Sequence, residues 1–329
     1  AYVPEVAVAN EIERHSLLTM FAMRGYGLSE DTAYLQQGRA HLKDVDKSLA
    51  DAHTLASQQS LLKKLKERLP VVEKNVDEYE RLVEVTVKHI DAMTKLRTDM
   101  HAQAEEFMKN ARAFLENQTQ TMKKELADDE LSYEKKVERL HKIAMADEIV
   151  EAGDTAVLAA AESQAERNPK IMEEGAEHLN SVFIVVDNLR KITKQEENLK
   201  QLDQIRHTAK AYQKEMHELL EHWLELQKTN EIRAKAAQEV LLAAKEVSLA
   251  GIEQTKEIAN DAMTSLNRAS TVMIFGLIAA TLFGAAAAFF IAKGIITVLQ
   301  RVCSQMDEGA GQVASAATQV SQASEQLAQ

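Results

Sequence analysis

Residues 36–42 read "QQGRAHL", and 137 positions later residues 173–179 read "EEGAEHL". The same shift places Leu62 on Leu199, so that an apolar position of one half falls on an apolar position of the other. Self-similarity at one fixed spacing is typical of a structural unit that occurs twice. The sequence therefore predicts two copies of one unit within residues 1–270.

Helix-breaking residues are scarce, with 3 prolines and 11 glycines among 329 residues. They mark three joints, at 24–31, 125–132 and 166–170. Between the joints, apolar residues recur at the four-then-three spacing of a helix that packs in a bundle. One such seam runs through residues 65–93 with Thr86 as its gap, and a second runs through 212–226. Each unit is therefore predicted to contain two short helices followed by a long one.

These elements predict an all-α fold, two stacked four-helix bundles built from six helices. We expect both short helices of a unit to run in the same direction, away from the end of the bundle near residue 270, and the long helix to run back to that end. Every level then holds two long helices and one short helix from each unit. Residue n on the way up should lie level with roughly residue 270 − n on the final helix, because both rise equally per residue.

Residues 271–292, "TVMIFGLIAATLFGAAAAFFIA", carry no charge. As a helix they span roughly 33 Å, enough for a hydrocarbon core of ~30 Å, so a transmembrane helix is predicted here. Small residues that would let two helices approach closely recur every four positions, at Gly276, Ala280, Gly284 and Ala288.

The net charge of −12 lies almost entirely before this apolar segment. From residue 271 onward two basic residues stand against three acidic ones, which leaves −11 on residues 1–270. So acidic a surface argues against nucleic acid as a partner.

The tail at 293–329 has a seven-residue repeat of apolar side chains. The larger ones are Leu299, Met306, Val313, Val320 and Leu327. The position three residues later holds Val302, Gly309, Ala316 and Ala323. Such a heptad with small second positions predicts a coiled coil in which two copies of the chain pack closely, that is, a homodimer.

The wording of this tail, "RVCSQMDEGAGQVASAATQVSQASEQLAQ" at 301–329, resembles the start of the cytoplasmic signalling helix of methyl-accepting chemotaxis receptors. Residues 1–270 resemble, in length and repeat, the helical bimodular sensor domain of some of these receptors. The resemblance implies a bacterial inner-membrane protein whose residues 1–270 are extracytoplasmic and bind a small molecule such as an organic acid. Residues 293–329 would begin the cytoplasmic coiled coil, whose continuation beyond Gln329 binds a histidine kinase and its adaptor.

Two features depart from that family. The stretch "KGIITVLQRV" at 293–302 lacks the proline near the start of a HAMP module, so HAMP is expected to be absent or vestigial. A first membrane span is expected before Ala1. Two other classes stay open: a sensor histidine kinase with the same kind of sensor domain, and a helical pore-forming toxin whose apolar segment is hidden until it inserts.

No catalytic constellation is found, so the chain is not expected to be an enzyme or to carry a cofactor. The "HELLEH" stretch at 217–222 places its two histidines five residues apart, about 140° around a helix, which does not suit a shared metal ion. His15, His41 and His178 are scattered in sequence, and no metal site is predicted.

A small carboxylate bound between helices would be held by arginine or lysine side chains. The relation between residue n and residue 270 − n, here called the level rule, places Arg24 opposite Lys245 and beside Tyr26. It also makes Arg14 a further candidate. Arg97 and Arg190 are candidates for the second bundle. The alternative is that these cations are surface residues paired with neighbouring glutamates.

Cysteines introduced at Val313 or Val320 are expected to crosslink two chains in membranes, whereas a cysteine at Thr318, off the seam, should crosslink much less. Cys303 is replaced first, and crosslinked dimer is measured by non-reducing electrophoresis. Equal crosslinking at all three positions would show that the heptad is not a contact seam.

Overall fold

The computed structural model describes residues 2–326, and the side chains of residues 2–324. Within this range there are six α-helices and no strand. The helices are α1 (Tyr2–Ser29), α2 (Thr32–Gln58), α3 (Lys63–Leu126), α4 (Tyr133–Glu166), α5 (Pro169–Ile192) and α6 (Glu196–Gln326). The all-α prediction and the order of two short helices followed by a long one, twice, are confirmed. Leu327 of the predicted heptad lies outside the described residues.

The two copies of the repeat have the same joint between their short helices. Glu30 and Arg167 have positive φ, 58° and 55°, and they lie 137 positions apart. Each is followed by a capping residue, Asp31 or Asn168, whose side chain accepts the backbone N–H two residues on. A capping oxygen of this kind satisfies one of the free N–H groups that begin a helix. The shared pair of a left-handed residue and a cap supports the repeat.

Two glycines let each pair of short helices approach closely. A Cβ atom added to Gly38 on α2 would lie 2.8 Å from the Met23 sulfur on α1. A Cβ atom added to Gly175, the repeat-related position on α5, would lie 2.7 Å from the Ala159 Cβ on α4. Helix packing therefore explains why the repeated "Gly-x-x-His-Leu" motif begins with a glycine.

The expectation that both short helices of a unit climb in the same direction is wrong. α2 runs antiparallel to α1, because its early Gly38 lies against the late Met23 while its later Asp44 lies against the earlier His15. The reason is the length of the joint: the left-handed Glu30 and the capping Asp31 reverse the chain within two residues. The short helices of one unit therefore pack on each other.

One continuous hydrophobic core extends from Ala9 to Val247. In its first part, four helices line a narrow cavity through Ser16 and Thr19 of α1, Leu42 and Val45 of α2, Val76 and Tyr79 of α3, and Ala237 and Val240 of α6. In its second part, Gly153 of α4 meets Phe107 of α3, and Gly175 of α5 meets Met216 of α6. Both parts thus draw on α3 and α6. The stacking of two four-helix bundles stays a prediction.

Apart from the repeat, the chain divides into two compact regions, residues 1–252 and 253–329. Within residues 253–329, α6 continues through the apolar segment, where large side chains such as Phe283 and Phe290 are exposed. By length and composition α6 is the one described helix that could cross a membrane, with a mean hydropathy of 2.3 over its most apolar 18-residue window and none of that window buried. The heptad side chains from Leu299 to Val320 are exposed as well. The boundaries at 270/271 and 292/293 stay predictions.

The same substitution at two glycines should change stability in opposite directions. Gly175→Ala is expected to destabilise by about 1–3 kcal/mol, because the added methyl meets the fixed Ala159 methyl. Gly27→Ala should be neutral or stabilising by up to about 1 kcal/mol, since nothing lies within 4 Å of its added Cβ and alanine favours the helix.

The measurement is thermal unfolding of the detergent-purified chain by circular dichroism at 222 nm. If Gly175→Ala were as stable as Gly27→Ala, the close approach of α4 and α5 would be disproved.

Candidate ligand-binding site

A cavity with a volume of about 400 Å³ lies among α1, α3 and α6, near the joint between α1 and α2. Its lining is Met20, Met23, Arg24, Gly27 and Leu28 from α1, Tyr79 from α3, and Asn230, Arg233 and Ala234 from α6. The lining combines apolar side chains with two guanidinium groups and a phenol. A cavity of this size and composition suits a small molecule with an acidic group.

Arg233 is the most deeply buried cation of this lining, with 6% of the residue exposed. Its Nη1 donates to Oγ1 of the fully buried Thr86 at 2.8 Å, and its Nη2 donates to Oδ1 of Asn230 at 2.9 Å. The Thr86 hydroxyl in turn donates to the Leu82 carbonyl oxygen at 2.8 Å. The Arg233 Cζ lies 5.8 Å from the centroid of the Tyr79 ring, a cation–π distance. These contacts hold the guanidinium in one place at the cavity wall.

The charge of Arg233 is not balanced by a carboxylate. Among the described residues, none places a carboxylate oxygen within 4.0 Å of its nitrogens, and its two side-chain hydrogen bonds go to neutral groups. Burial lowers the pKa of the Arg233 guanidinium, and Tyr79 opposes this shift. An arginine nevertheless stays protonated near neutral pH. A buried, uncompensated cation at a cavity wall favours an anion in that cavity.

Arg24 on α1 supplies a second cation to the cavity lining. It is exposed, and no described residue forms an ion pair with it. Arg24 and Arg233 come from the first and the last helix of the first core region. One carboxylate bound between them would connect these two helices.

The structure places the sequence-predicted candidates in three different environments. Arg24 lines the cavity. Tyr26 is buried elsewhere: burial raises the pKa of its phenol, and the next largest cause is Asp91 on α3. Residues two positions apart on a helix point in directions about 200° apart around its axis, so Arg24 and Tyr26 lie on opposite faces of α1. The tyrosine at the cavity is Tyr79.

Lys245 is exposed and lies 12 residues beyond Arg233, about 18 Å along the helix, so it does not face Arg24. At Asn10 the level rule is wrong by a similar number of residues. It places residue 260 opposite Asn10, whereas the hydroxyl of Ser248 donates a hydrogen bond to Oδ1 of Asn10 at 2.9 Å. The reason is that α1 begins beside Gly251 and not beside residue 270.

The remaining cationic candidates are paired with acidic side chains. Arg14 is exposed and pairs with Glu11, Arg97 pairs with Glu30, and Arg190 pairs with Asp203. Arg97 and Glu30 also line a smaller cavity of about 140 Å³ beside Arg167. For these three residues, the alternative of paired surface cations describes the structure better than an empty anion site.

Arg233 was missed by sequence reasoning, although a signal for it exists. Thr86 is the gap in the apolar seam of α3, and Arg233 lies seven residues after Leu226 on the seam of α6. Each is a polar residue at a core position. The two face each other in the structure, so one buried polar position accounts for the other.

His15 and His41, although far apart in sequence, come together in the structure. Because α1 and α2 are antiparallel, the two rings have centroids 5.8 Å apart. The two histidines of "HELLEH" do point to different groups: Nδ1 of His217 lies 2.8 Å from the Gln213 carbonyl oxygen, and Nδ1 of His222 lies 3.1 Å from Nδ1 of His89.

No family model matches this chain, and no curated protein matches it. Among solved structures, it is similar to one described as the TorS sensor domain–TorT complex in the presence of TMAO. The identity is 13%, the TM-score is 0.45, and the match covers 74% of this chain and 98% of the other. A likeness at this level transfers no ligand or partner, so the chemistry has to be inferred from the residues of this chain.

Replacing Arg233 with Met should leave the ligand-free protein as stable as before or stabilise it by about 1 kcal/mol or more, because a buried charge is replaced by an apolar side chain of similar length. Thr86→Val should instead destabilise by about 1–3 kcal/mol, because it leaves Nη1 of the buried guanidinium without its acceptor.

Both variants are measured by chemical unfolding in detergent. Strong destabilisation by Arg233→Met would show that the arginine is a structural element of the core.

Proposed function

We propose that this protein is a membrane-anchored sensor that binds a small carboxylate in the cavity among α1, α3 and α6. The observation that carries the proposal is the buried guanidinium of Arg233, which lacks a carboxylate partner among the described residues and lines a cavity of about 400 Å³. Arg233 also belongs to α6, the helix that contains the apolar segment. Ligand binding and membrane crossing would thus involve the same helix.

The sensor region is proposed to consist of two stacked four-helix bundles. Two sets of contacts support this: α1, α2, α3 and α6 around the first core region, and α3, α4, α5 and α6 around the second. A further contact joins the two joints, since Nη2 of Arg167 donates to the Leu28 carbonyl oxygen at 2.6 Å. Each bundle would then contain both short helices of one repeat and a segment of each long helix.

The finer proposal is a chemoreceptor of the bacterial inner membrane, dimeric, with residues 1–270 outside and 293–329 inside. The sequence of the tail supports the chemoreceptor. The exposed apolar heptad on α6 supports a dimer, because an apolar seam of this kind needs a partner helix. A downstream histidine kinase and adaptor would be the cytoplasmic partners. A sensor histidine kinase with the same sensor would differ by a phosphoacceptor histidine downstream of the tail.

Signalling would follow from the position of the two arginines. A carboxylate held by Arg24 and Arg233 fixes α1 relative to α6, so the ligand binds best to one of two relative positions of these helices. A ligand can shift such an equilibrium only by its differential affinity for the two states. The helix that senses the shift is the one that carries the apolar segment and the heptad.

The chain purified in detergent is expected to be stabilised by at least one small mono- or dicarboxylate in a thermal-shift screen that also contains amines and sugars. At 100 times the dissociation constant, the stabilisation would be about 2.7 kcal/mol. Arg24→Gln and Arg233→Gln should each weaken that ligand about 10- to 100-fold, because each removes a charged hydrogen bond.

Lys245→Gln is the matched control, since it removes an exposed cation of the same helix outside the cavity. If amines or sugars stabilise the chain and carboxylates do not, the proposed ligand class is wrong. Equal weakening by the Lys245 and Arg233 substitutions would show that the cavity is not the binding site.

A further inference from the structure

A second cluster of chemically reactive side chains lies between α1 and α2, apart from the arginine cavity. It consists of His15 on α1 with His41 and Asp44 on α2. Oδ2 of Asp44 lies 3.4 Å from Nδ1 of His15 and 3.9 Å from Nδ1 of His41. One nitrogen of each histidine and one oxygen of the aspartate all lie within 4.8 Å of one another.

The two Nδ1 atoms are buried and unsatisfied. Neither His15 nor His41 has a hydrogen-bond partner for this nitrogen among the described residues. A buried polar nitrogen without a partner is costly, typically about 1–3 kcal/mol, so two side by side need an explanation. Both atoms lie on the side of the rings that faces Asp44.

We propose that His15, His41 and Asp44 bind a divalent transition-metal ion of the zinc class. Tetrahedral zinc with bonds of about 2.0–2.2 Å requires donor atoms about 3.3 Å apart. The two carboxylate–imidazole separations are 3.4 and 3.9 Å, and all three donor atoms lie within 4.8 Å of one another, so the side chains must close by up to about 1.5 Å on binding. Two imidazoles and one carboxylate select Zn²⁺ or its neighbours over Mg²⁺ and Ca²⁺, which prefer oxygen donors. Three protein donors leave the fourth position open to water.

Glu11 is placed to orient one of the ligands. Its Oε2 lies 3.3 Å from Nε2 of His15, so it accepts the Nε2 proton when Nδ1 binds the metal. Nη2 of Arg14 also lies 3.0 Å from this Nε2. Since Arg14 is exposed and already pairs with Glu11, it is free to turn toward that carboxylate when the proton occupies Nε2.

The other histidine pair of the first core region does not offer the same chemistry. Nδ1 of His89 and Nδ1 of His222 lie 3.1 Å apart and form a hydrogen bond with each other, so both nitrogens have a partner. This pair therefore serves as the control. The metal site is also separate from the arginine cavity, because His15 precedes Arg24 by nine residues, about 14 Å along α1.

The test uses the untagged chain in detergent, stripped with a chelator and titrated with Zn²⁺ by competition with a chromophoric chelator. We expect one zinc ion per chain and a higher melting temperature with zinc than without. His15→Ala, His41→Ala and Asp44→Asn should weaken zinc binding at least about 100-fold, and Glu11→Gln about 10-fold. His222→Ala and the exposed His178→Ala should bind zinc as the wild type does.

Loss of zinc binding in His222→Ala, or unchanged binding in the His15 and His41 variants, would overturn the assignment. So would zinc affinity no tighter than millimolar in the wild type. If a histidine variant fails to fold without metal, Glu11→Gln and Asp44→Asn decide the question, because both change exposed carboxylates. The carboxylate ligand of the arginine cavity is absent from every assay, so the result is independent of the proposed sensing function.

Discussion

The chain reverses at two places where a left-handed residue is followed by a capping side chain, Glu30 with Asp31 and Arg167 with Asn168. A left-handed backbone costs a residue with a Cβ atom about 1–2 kcal/mol, and the capping hydrogen bond and the helix packing on both sides offset this cost. Because the reversal takes two residues, the second short helix must return along the first. That return brings His15 to Asp44 and Met23 to Gly38.

The same constraint sets the level of α3 against α1. Since α2 returns to the end from which α1 started, α3 begins beside the first turns of α1, where the Leu65 backbone opposes the rise in the pKa of the Glu5 carboxyl that burial causes. α3 then passes Tyr79 and Thr86 alongside the later turns of α1. Arg233 meets Thr86 at this level and lines the same cavity as Arg24. The cationic cavity is therefore a product of the hairpin, and no local motif builds it.

Sequence periodicity was sufficient for the helices, their order and the repeat, because apolar spacing reports which face of a helix is buried. It could not give the direction of α2, since a parallel and an antiparallel neighbour bury the same face. The reading of His15 and His41 as unrelated failed for this reason. The pairing of Arg24 with Lys245 failed because α1 begins beside Gly251 and not beside residue 270, an offset that periodicity does not report. The grouping of Arg24 with Tyr26 could have been rejected from the sequence, because residues two apart point to opposite sides of a helix. The polar positions Thr86 and Arg233, one on each seam, were the available signal for the cavity.

The duplicated unit has been used asymmetrically. In the second copy, the positions related to Arg24 and Tyr79 by the 137-residue shift are Ala161 and Met216, and the position related to Arg233 on the other long helix is Leu96. Met216 is fully buried there and packs against Gly175. At these three positions the first core region has two cations and a phenol around a cavity, whereas the related positions of the second core region hold apolar side chains. The duplication has therefore preserved the packing of the helices while the side chains that build the cavity differ between the two core regions.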